Sequence, residues 1–245
     1  MHHFFVTPDQ LTGLHVHFDA DQAHQMRRVL RLRPGDRVLA LDGLGLQYEV
    51  LLEEVSNSRV TGLVASKAEA AGEPAARLTL FQSLLKREKF EWVLQKGTEI
   101  GVAAFVPVIT RRSLVRDVED VRPEKLDRWR RIIKEAAEQS GRGVLPSLTA
   151  PIPFEAAAPE ALILDRTLIA WTGETQRTVR RALQGSGEAA EIALIIGPEG
   201  GFEPEEVDEA VSYGALPVTL GRRILRTETA AIVGSALVLH ELGEL

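Results

Sequence analysis

The sequence predicts an α/β protein in two parts, a small β-rich module followed by a larger domain built on a mostly parallel sheet. Three observations lead there. From Leu78 onward short apolar runs alternate with helical stretches, the pattern of β-α units. Before that point come three β-like runs separated by turn residues, and between the two regions Ser66 to Arg77 (SKAEAAGEPAAR) is small and polar, the composition of a linker. The expected domains are therefore residues 1–70 and 71–245, and 44% apolar residues supply enough material for a core in each.

Composition removes several classes of function. No apolar run is long enough to span a bilayer, and Met1 to Val6 (MHHFFV) lacks the charged flank, long apolar stretch and cleavage site of a signal peptide. The absence of cysteine excludes disulfides and thiolate metal sites and fits a reducing cytoplasm, the expected location. His2, His3, His15 and His17 have no carboxylates at ligand spacing, so no metal is expected. The net charge of -6 averages an acidic C-terminal third with basic stretches elsewhere, and a nucleic acid responds to the local field.

The first basic stretch runs from Asp21 to Asp36. Asp19 or Asp21 can cap a helix there and Pro34-Gly35 stops it. On a regular helix His24, Arg27, Arg28 and Arg31 fall on one face, opposite Ala23, Met26, Val29 and Leu30. Four outward donors without acidic partners suit phosphate contact, although a solvated charged face has the same pattern.

The β-like runs are Arg37–Leu41, Gln47–Val55 and Arg59–Ala65, punctuated by Asp42-Gly43 and Ser56-Asn57-Ser58. Gly43-Leu-Gly45 opens like a dinucleotide fingerprint, but the third glycine position holds Tyr48 and no helix follows, so it reads as a hairpin turn. In the second domain the expected strands are 78–85, 104–109, 161–164, 167–171, 192–196 and 216–220. The expected helices are 88–99, 124–139, 176–183, 204–213 and 227–242. Arg111-Arg112 follows a strand end, and residues 122–142 hold seven Lys or Arg against four carboxylates. Arg112 and Arg142 are candidates for gripping RNA phosphate. Gly185-Ser-Gly187 lacks the GxSxG spacing of a serine nucleophile.

Two glycine-bearing turns organise the second domain: Leu194 to Phe202 (LIIGPEGGF) and Leu220 to Ala230 (LGRRILRTETA). Each reads as the carboxyl end of a strand entering a helix, where ligands of open α/β sheets bind. The first turn has neither the Lys nor the spacing of a phosphate loop, and carries Glu199 instead. Residues 188–209 hold eight carboxylates and no Lys or Arg, which repels a polyphosphate and tolerates a neutral or cationic ligand. An equally direct account of Glu203 to Glu209 is the dipole-favoured first turn of a helix starting at Glu203-Pro204.

Phe4-Phe5-Val6, the His24–Arg31 helix, Gln95 to Val102 (QKGTEIGV), Glu135 to Arg142 (EAAEQSGR) and the two C-terminal turns together resemble the RsmE family, bacterial 16S rRNA uracil-N3 methyltransferases of the SPOUT superfamily. The resemblance runs from end to end. Gly97 and Ile100 stand where the family would have Ala and Leu, both mild changes on a helix, and no departure touches the two turns.

The resemblance implies an N-terminal PUA-like β-barrel for RNA and a C-terminal SPOUT-type domain whose trefoil knot binds S-adenosylmethionine and releases S-adenosylhomocysteine. Three loops would hold that cofactor, through Trp171 and Thr172 after one strand, Ile196, Gly197, Pro198, Glu199, Gly200 and Gly201 in the first turn, and Leu220, Gly221, Ile224, Leu225 and Thr229 in the second. It also implies a homodimer, with the 16S rRNA substrate presented within the 30S subunit. Uracil N3 carries a proton that must leave, so a general base or an anion-stabilising cation is needed. The candidates are Glu228 or Glu199 as base and Arg226 as anion stabiliser or substrate clamp. A first-turn carboxylate and a structural salt bridge are the plainer accounts of Glu228 and Arg226. Other readings are a related methyltransferase acting on ribose 2'-oxygen or tRNA, and a non-catalytic RNA-binding module.

Overall fold

Strand-forming residues near the N-terminus build a six-stranded sheet. Its strands are β1 (His2–Phe5), β2 (Leu11–Thr12), β3 (His15–Phe18), β4 (Arg37–Leu41), β5 (Leu46–Val55) and β6 (Val60–Glu69), in spatial order β1-β4-β5-β6-β3-β2. The short helix α1 (Ala20–His24) precedes β4. In this computed structural model residues 1–56, 59–86, 88–115, 117–187 and 190–245 are described. They divide into two units, Met1–Glu73 with Ala137–Leu145, and Pro74–Ala136 with Pro146–Leu245. Asn57 and Ser58 of the expected turn, and Glu188 of the acidic run, lie outside the described residues.

The first unit's core gathers Phe4, Val16, Phe18, Val38, Ala40, Val50, Leu52 and Val60 with Ala23 and Met26 from the helical segment. β1 pairs in parallel with β4, a long-range partner that no local turn signal announces. β6 runs on to Glu69, through residues expected to be linker. Antiparallel pairing with Leu46–Glu49 of β5 satisfies its backbone there, so polar side chains are tolerated on an exposed strand end. At Gly43-Leu-Gly45 the Asp42 carboxylate accepts from the Leu44 and Leu46 amides at 2.8 and 3.0 Å, which closes the turn.

The expected basic helix is broken. α1 ends at His24, a π turn follows over Gln25–Val29, and Arg31 takes φ 57°, a left-handed conformation uncommon for a residue with a side chain. The extra residue per turn rotates Val29 outward, to 66% exposure, while Met26 stays buried. Arg31 therefore does not continue the helical face of His24, Arg27 and Arg28.

The second unit carries a parallel sheet. Its elements are β7 (Arg77–Ser83), α2 (Glu88–Glu99), β8 (Ala104–Ile109), α3 (Pro123–Ser140), β9 (Ser147–Leu148), β10 (Ile152–Pro153), α4 (Phe154–Ala161), β11 (Arg166–Ala170), α5 (Val179–Ala182), β12 (Glu191–Ile196), α6 (Pro204–Ser212), β13 (Leu216–Val218) and α7 (Thr227–Glu241). The order is β10-β8-β7-β12-β11-β13, with β9 also on β8. The residues of α3 from Ala137 onward group with the first unit.

Alternate side chains of the strands feed two cores. Leu78, Leu80, Leu168, Ile192, Leu194 and Ile196 meet α2, α3, α5 and α7 on one face. Phe81, Val106, Val108, Ile169, Ala193 and Ile195 meet α4 and α6 on the other. Burial on both faces explains why these strands read as continuous apolar runs. The expected strand at 161–164 is instead the last residue of α4 and the turn that follows it. Ala157, Ala158 and Ala161 are strong helix formers that pack closely beside Val207 and Ala210. The smallness of Gly97 on α2 leaves room for the Phe105 ring, which a Cβ would approach to 2.7 Å.

Gly62 on β6 is under the same constraint in the first unit. A Cβ there would lie 2.5 Å from Val50 Cγ1 and 2.7 Å from the Leu51 carbonyl oxygen, and the backbone atom cannot rotate away. Gly62→Ala is expected to destabilise the first unit by about 2–3 kcal/mol, read as a lower urea midpoint with unchanged slope.

Candidate functional site

The site forms where β12, β11 and β13 end side by side. β12 stops at Ile196 and the chain turns through Gly197 to Phe202, closed by Gly201 N–H donating to the Pro198 carbonyl at 3.0 Å with Gly201 at φ 71°. Phe202 folds its ring onto Gly197, where a Cβ would sit 3.0 Å from the ring. The Thr227 hydroxyl, in the first turn of α7, donates to the Gly197 carbonyl, and Gln82 Nε2 at the end of β7 reaches the same hydroxyl at 3.4 Å. Both expected turns are thus fastened to each other.

Two expected base candidates converge on a residue absent from the sequence expectations. Lys89 Nζ, in the first turn of α2, lies 3.2 Å from Glu228 Oε2 and 3.8 Å from Glu199 Oε1. Burial pushes the Glu228 carboxyl up. Its own backbone N–H, the hydrogen bond and charge of Lys89 and the charge of Arg226 outweigh that effect and hold the group below its ordinary value. Arg226 is exposed and is the N-cap residue of α7. Lys89 could not be found from spacing, because its partners lie more than a hundred residues away.

A cavity of about 520 Å³ lies between the loop after β11 and the loop after β13. Trp171, Thr172, Leu220, Gly221, Ile224 and Leu225 line it, as expected, and so do Glu174, Arg222 and Arg223, which the sequence had not singled out. The Trp171 ring fills the space that a Cβ at Gly173 would need, 2.4 Å away. Backbone amides of Gln176 and Arg177 hold the Glu174 carboxyl below its usual value. Ile196, Gly197, Pro198, Glu199, Gly200, Gly201 and Thr229 are not among the residues lining this cavity. Ile196 and Pro198 are buried, and the turn's carbonyl at Gly197 faces Thr227.

The chain matches the RNA methyltransferase domain family over residues 72–239 and the RNA methyltransferase PUA domain family over residues 18–64. It is 35% identical over 238 residues to the ribosomal RNA small subunit methyltransferase E of Synechocystis, covering 95% of this chain and 75% of that one. The chain belongs to the ribosomal RNA small subunit methyltransferase E family. Two solved structures are similar throughout. One is a putative methyltransferase from Legionella pneumophila in complex with S-adenosylmethionine, with TM-score 0.87, 31% identity and coverage of 97% and 96%. The other is the ribosomal RNA small subunit methyltransferase E of Neisseria gonorrhoeae bound to S-adenosylmethionine, with TM-score 0.81, 29% identity and coverage of 98% and 97%.

For a member of the methyltransferase E family the expected RNA-gripping arginines divide into two kinds. His24, Arg28 and Arg31 are exposed and Arg27 half-buried, and among the described residues none of the four has an ion-pair partner. Arg112 is different. Its Nε and Nη2 each lie 2.7 Å from a Glu203 carboxylate oxygen, and Nη1 donates to the Gly200 carbonyl at 2.8 Å. The guanidinium braces the turn, and it holds the Glu203 carboxyl below its usual range. Arg142 is 4% exposed and pairs with Glu73 at 2.8 Å, so phosphate cannot reach it. Charge runs in sequence do not distinguish a cation facing water from one matched to a distant carboxylate.

Arg142→Ala would leave Glu73 half-enclosed without its partner. The expected result is a loss of about 3 kcal/mol in stability, measured by denaturation, with the RNA affinity of the folded fraction unchanged in a filter-binding titration.

Proposed function

We propose that this chain transfers a methyl group from S-adenosylmethionine to N3 of a uracil in 16S rRNA. The observation that carries the reading is the cavity at the ends of β11 and β13, whose lining includes Leu225 and Ala230, on either side of Glu228 in the chain. Its volume is that of a small-molecule site, and Trp171, Val218, Leu220, Ile224 and Leu225 give it the largely apolar lining an adenosyl group needs. Gly221, at φ 118°, keeps its backbone open to a ligand's polar edges. Glu174 adds a carboxylate compatible with a cationic ligand. When bound, S-adenosylmethionine supplies an electrophilic methyl group and departs as S-adenosylhomocysteine.

The chain's own residues must hold the base, exclude water and manage the N3 proton. Glu199 and Glu228, the two carboxylates that meet Lys89, are the proposed acceptors. Arg226 can stabilise the uracil anion, because its guanidinium is exposed and its charge already acts on Glu228. Methyl transfer from a sulfonium needs no metal. The first unit takes the RNA through His24, Arg27, Arg28 and Arg31, and the second unit carries the chemistry.

The finer architecture belongs to the same proposal: a PUA-like barrel at residues 1–70, and a SPOUT domain with a trefoil knot at 71–245. In favour of the knot, α7 leaves β13 at the sheet edge and returns to pack on β7, β12, α2 and α5. In favour of a homodimer, α7 is apolar around its circumference while Ile232, Val233, Ala236 and Leu237 remain half-buried. The 30S subunit is the proposed form of the substrate.

Calorimetry should show one S-adenosylmethionine site per chain, whereas a packing-only role for the turns gives no heat. Incubation with 16S rRNA and with 30S particles, both lacking the modification, should yield N3-methyluridine by nucleoside mass spectrometry. A ribose-methylated product would overturn the uracil assignment. Arg27→Ala with Arg31→Ala should weaken RNA binding, reduce the slope of log affinity against log salt by roughly 2, and leave cofactor affinity intact. An equal loss of cofactor affinity would refute the division of labour.

A further inference from the structure

The two candidate carboxylates are not equivalent in their surroundings. Lys89 Nζ is within hydrogen-bond distance of Glu228 Oε2, at 3.2 Å, but stands 3.8 Å from Glu199 Oε1. Glu228 is also satisfied by its own backbone N–H at the start of α7, and its side chain is 16% exposed against 31% for Glu199. Glu228 is thus anchored on a helix, whereas Glu199 sits on the bend after β12 with an oxygen near the ammonium and lone pairs open to a ligand. Two carboxylates that share one neighbourhood repel each other, and without a cation between them one takes up a proton. The ammonium meets both carboxylates and links the bend after β12 to the start of α7.

We propose that Lys89 is a positioning residue, holding Glu228 as an anchor and aiming Glu199, which accepts the uracil N3 proton. This assignment rests on the uracil-N3 reading above and goes beyond it by separating the two carboxylates. In the step, the N3–H bond breaks and the proton passes to a Glu199 oxygen. The electron pair stays on N3 and forms the bond to the methyl carbon as the carbon–sulfur bond of the sulfonium donor breaks, its electron pair returning to sulfur so that a neutral thioether leaves. Glu199 then releases the proton to water. Among the described residues, Arg226 and Lys89 are the cations that face Glu228, and Glu199 is the other carboxylate at Lys89. With Lys89 removed, burial still raises the Glu228 carboxyl while its strongest charged partner is gone.

The experiment compares wild type, Lys89→Met, Lys89→Arg, Glu199→Gln and Glu228→Gln, each first checked for a native thermal transition. Glu199→Gln should lower kcat by about a hundredfold or more, the range for loss of a general base, with KM for RNA little changed. Glu228→Gln and Lys89→Met should each lower kcat by about tenfold, and the double variant should lose no more than either alone. Lys89→Arg should restore most of the rate. A readout independent of turnover is the carboxyl carbon resonance of Glu228 in the cofactor-free protein. It should titrate below an ordinary glutamate in wild type and higher in Lys89→Met. Full activity of Lys89→Met, an unmoved Glu228 titration, or a larger loss in Glu228→Gln than in Glu199→Gln overturns the proposal. Wild-type protein that forms no N3-methyluridine overturns the underlying functional reading instead.

Discussion

Everything at the site depends on β11 lying between β12 and β13 in a sheet covered on both faces. A parallel strand buried on both sides has no side chain free for a ligand, so recognition is confined to the strand ends. Because all these strands run the same way, their carboxyl ends open at one edge, and the loops after β11 and β13 become neighbours although about fifty residues separate them. The cavity is the consequence. The Thr227 hydroxyl on the Gly197 carbonyl adds the third loop to the pair, since it ties the bend after β12 to the helix that follows β13. Gly197 then cannot be replaced without disturbing Phe202, and Gly200 cannot without disturbing Arg112. These glycines keep the bend close to its braces.

What the sequence made legible followed from local periodicity. α2 and β8 were expected at the residues where they occur, and β11, β12, α6 and α7 to within a few, because each carries an unmixed pattern over its length. β1 was missed, since its stability comes from pairing with β4 across more than thirty residues, and the turn after α4 was taken for a strand because four apolar residues carry no period. The site divided in the same way. Trp171, Leu220, Gly221, Ile224 and Leu225 lie at strand ends, where position alone points to a ligand, and they line the cavity. Arg112 and Arg142 show the opposite case, because nothing local says that Glu203 or Glu73 will be waiting. Lys89 was invisible by the same logic.

The acidic stretch that first suggested a cationic ligand now has two explanations, and they apply to different residues. Glu206 is 1% exposed and accepts from the Glu203 amide at 2.8 Å and from the Arg111 amide at 2.9 Å. It completes a capping box at the start of α6 and pins the loop after β8, while Glu203 is matched to Arg112. These carboxylates stabilise a helix terminus and would be needed whatever the ligand. Glu199 precedes the helix and takes no part in its cap; its charge is directed toward Lys89 and the neighbouring turn. The field around Lys89 is therefore set by Glu199, Glu228 and Arg226 rather than by the whole acidic run. Arg222 and Arg223, exposed at the cavity and without an ion pair among the described residues, turn the outer edge of that field positive. A chain with net charge -6 can still present a cationic approach to a polyanion, because the local field there is set by Arg222 and Arg223 rather than by the total.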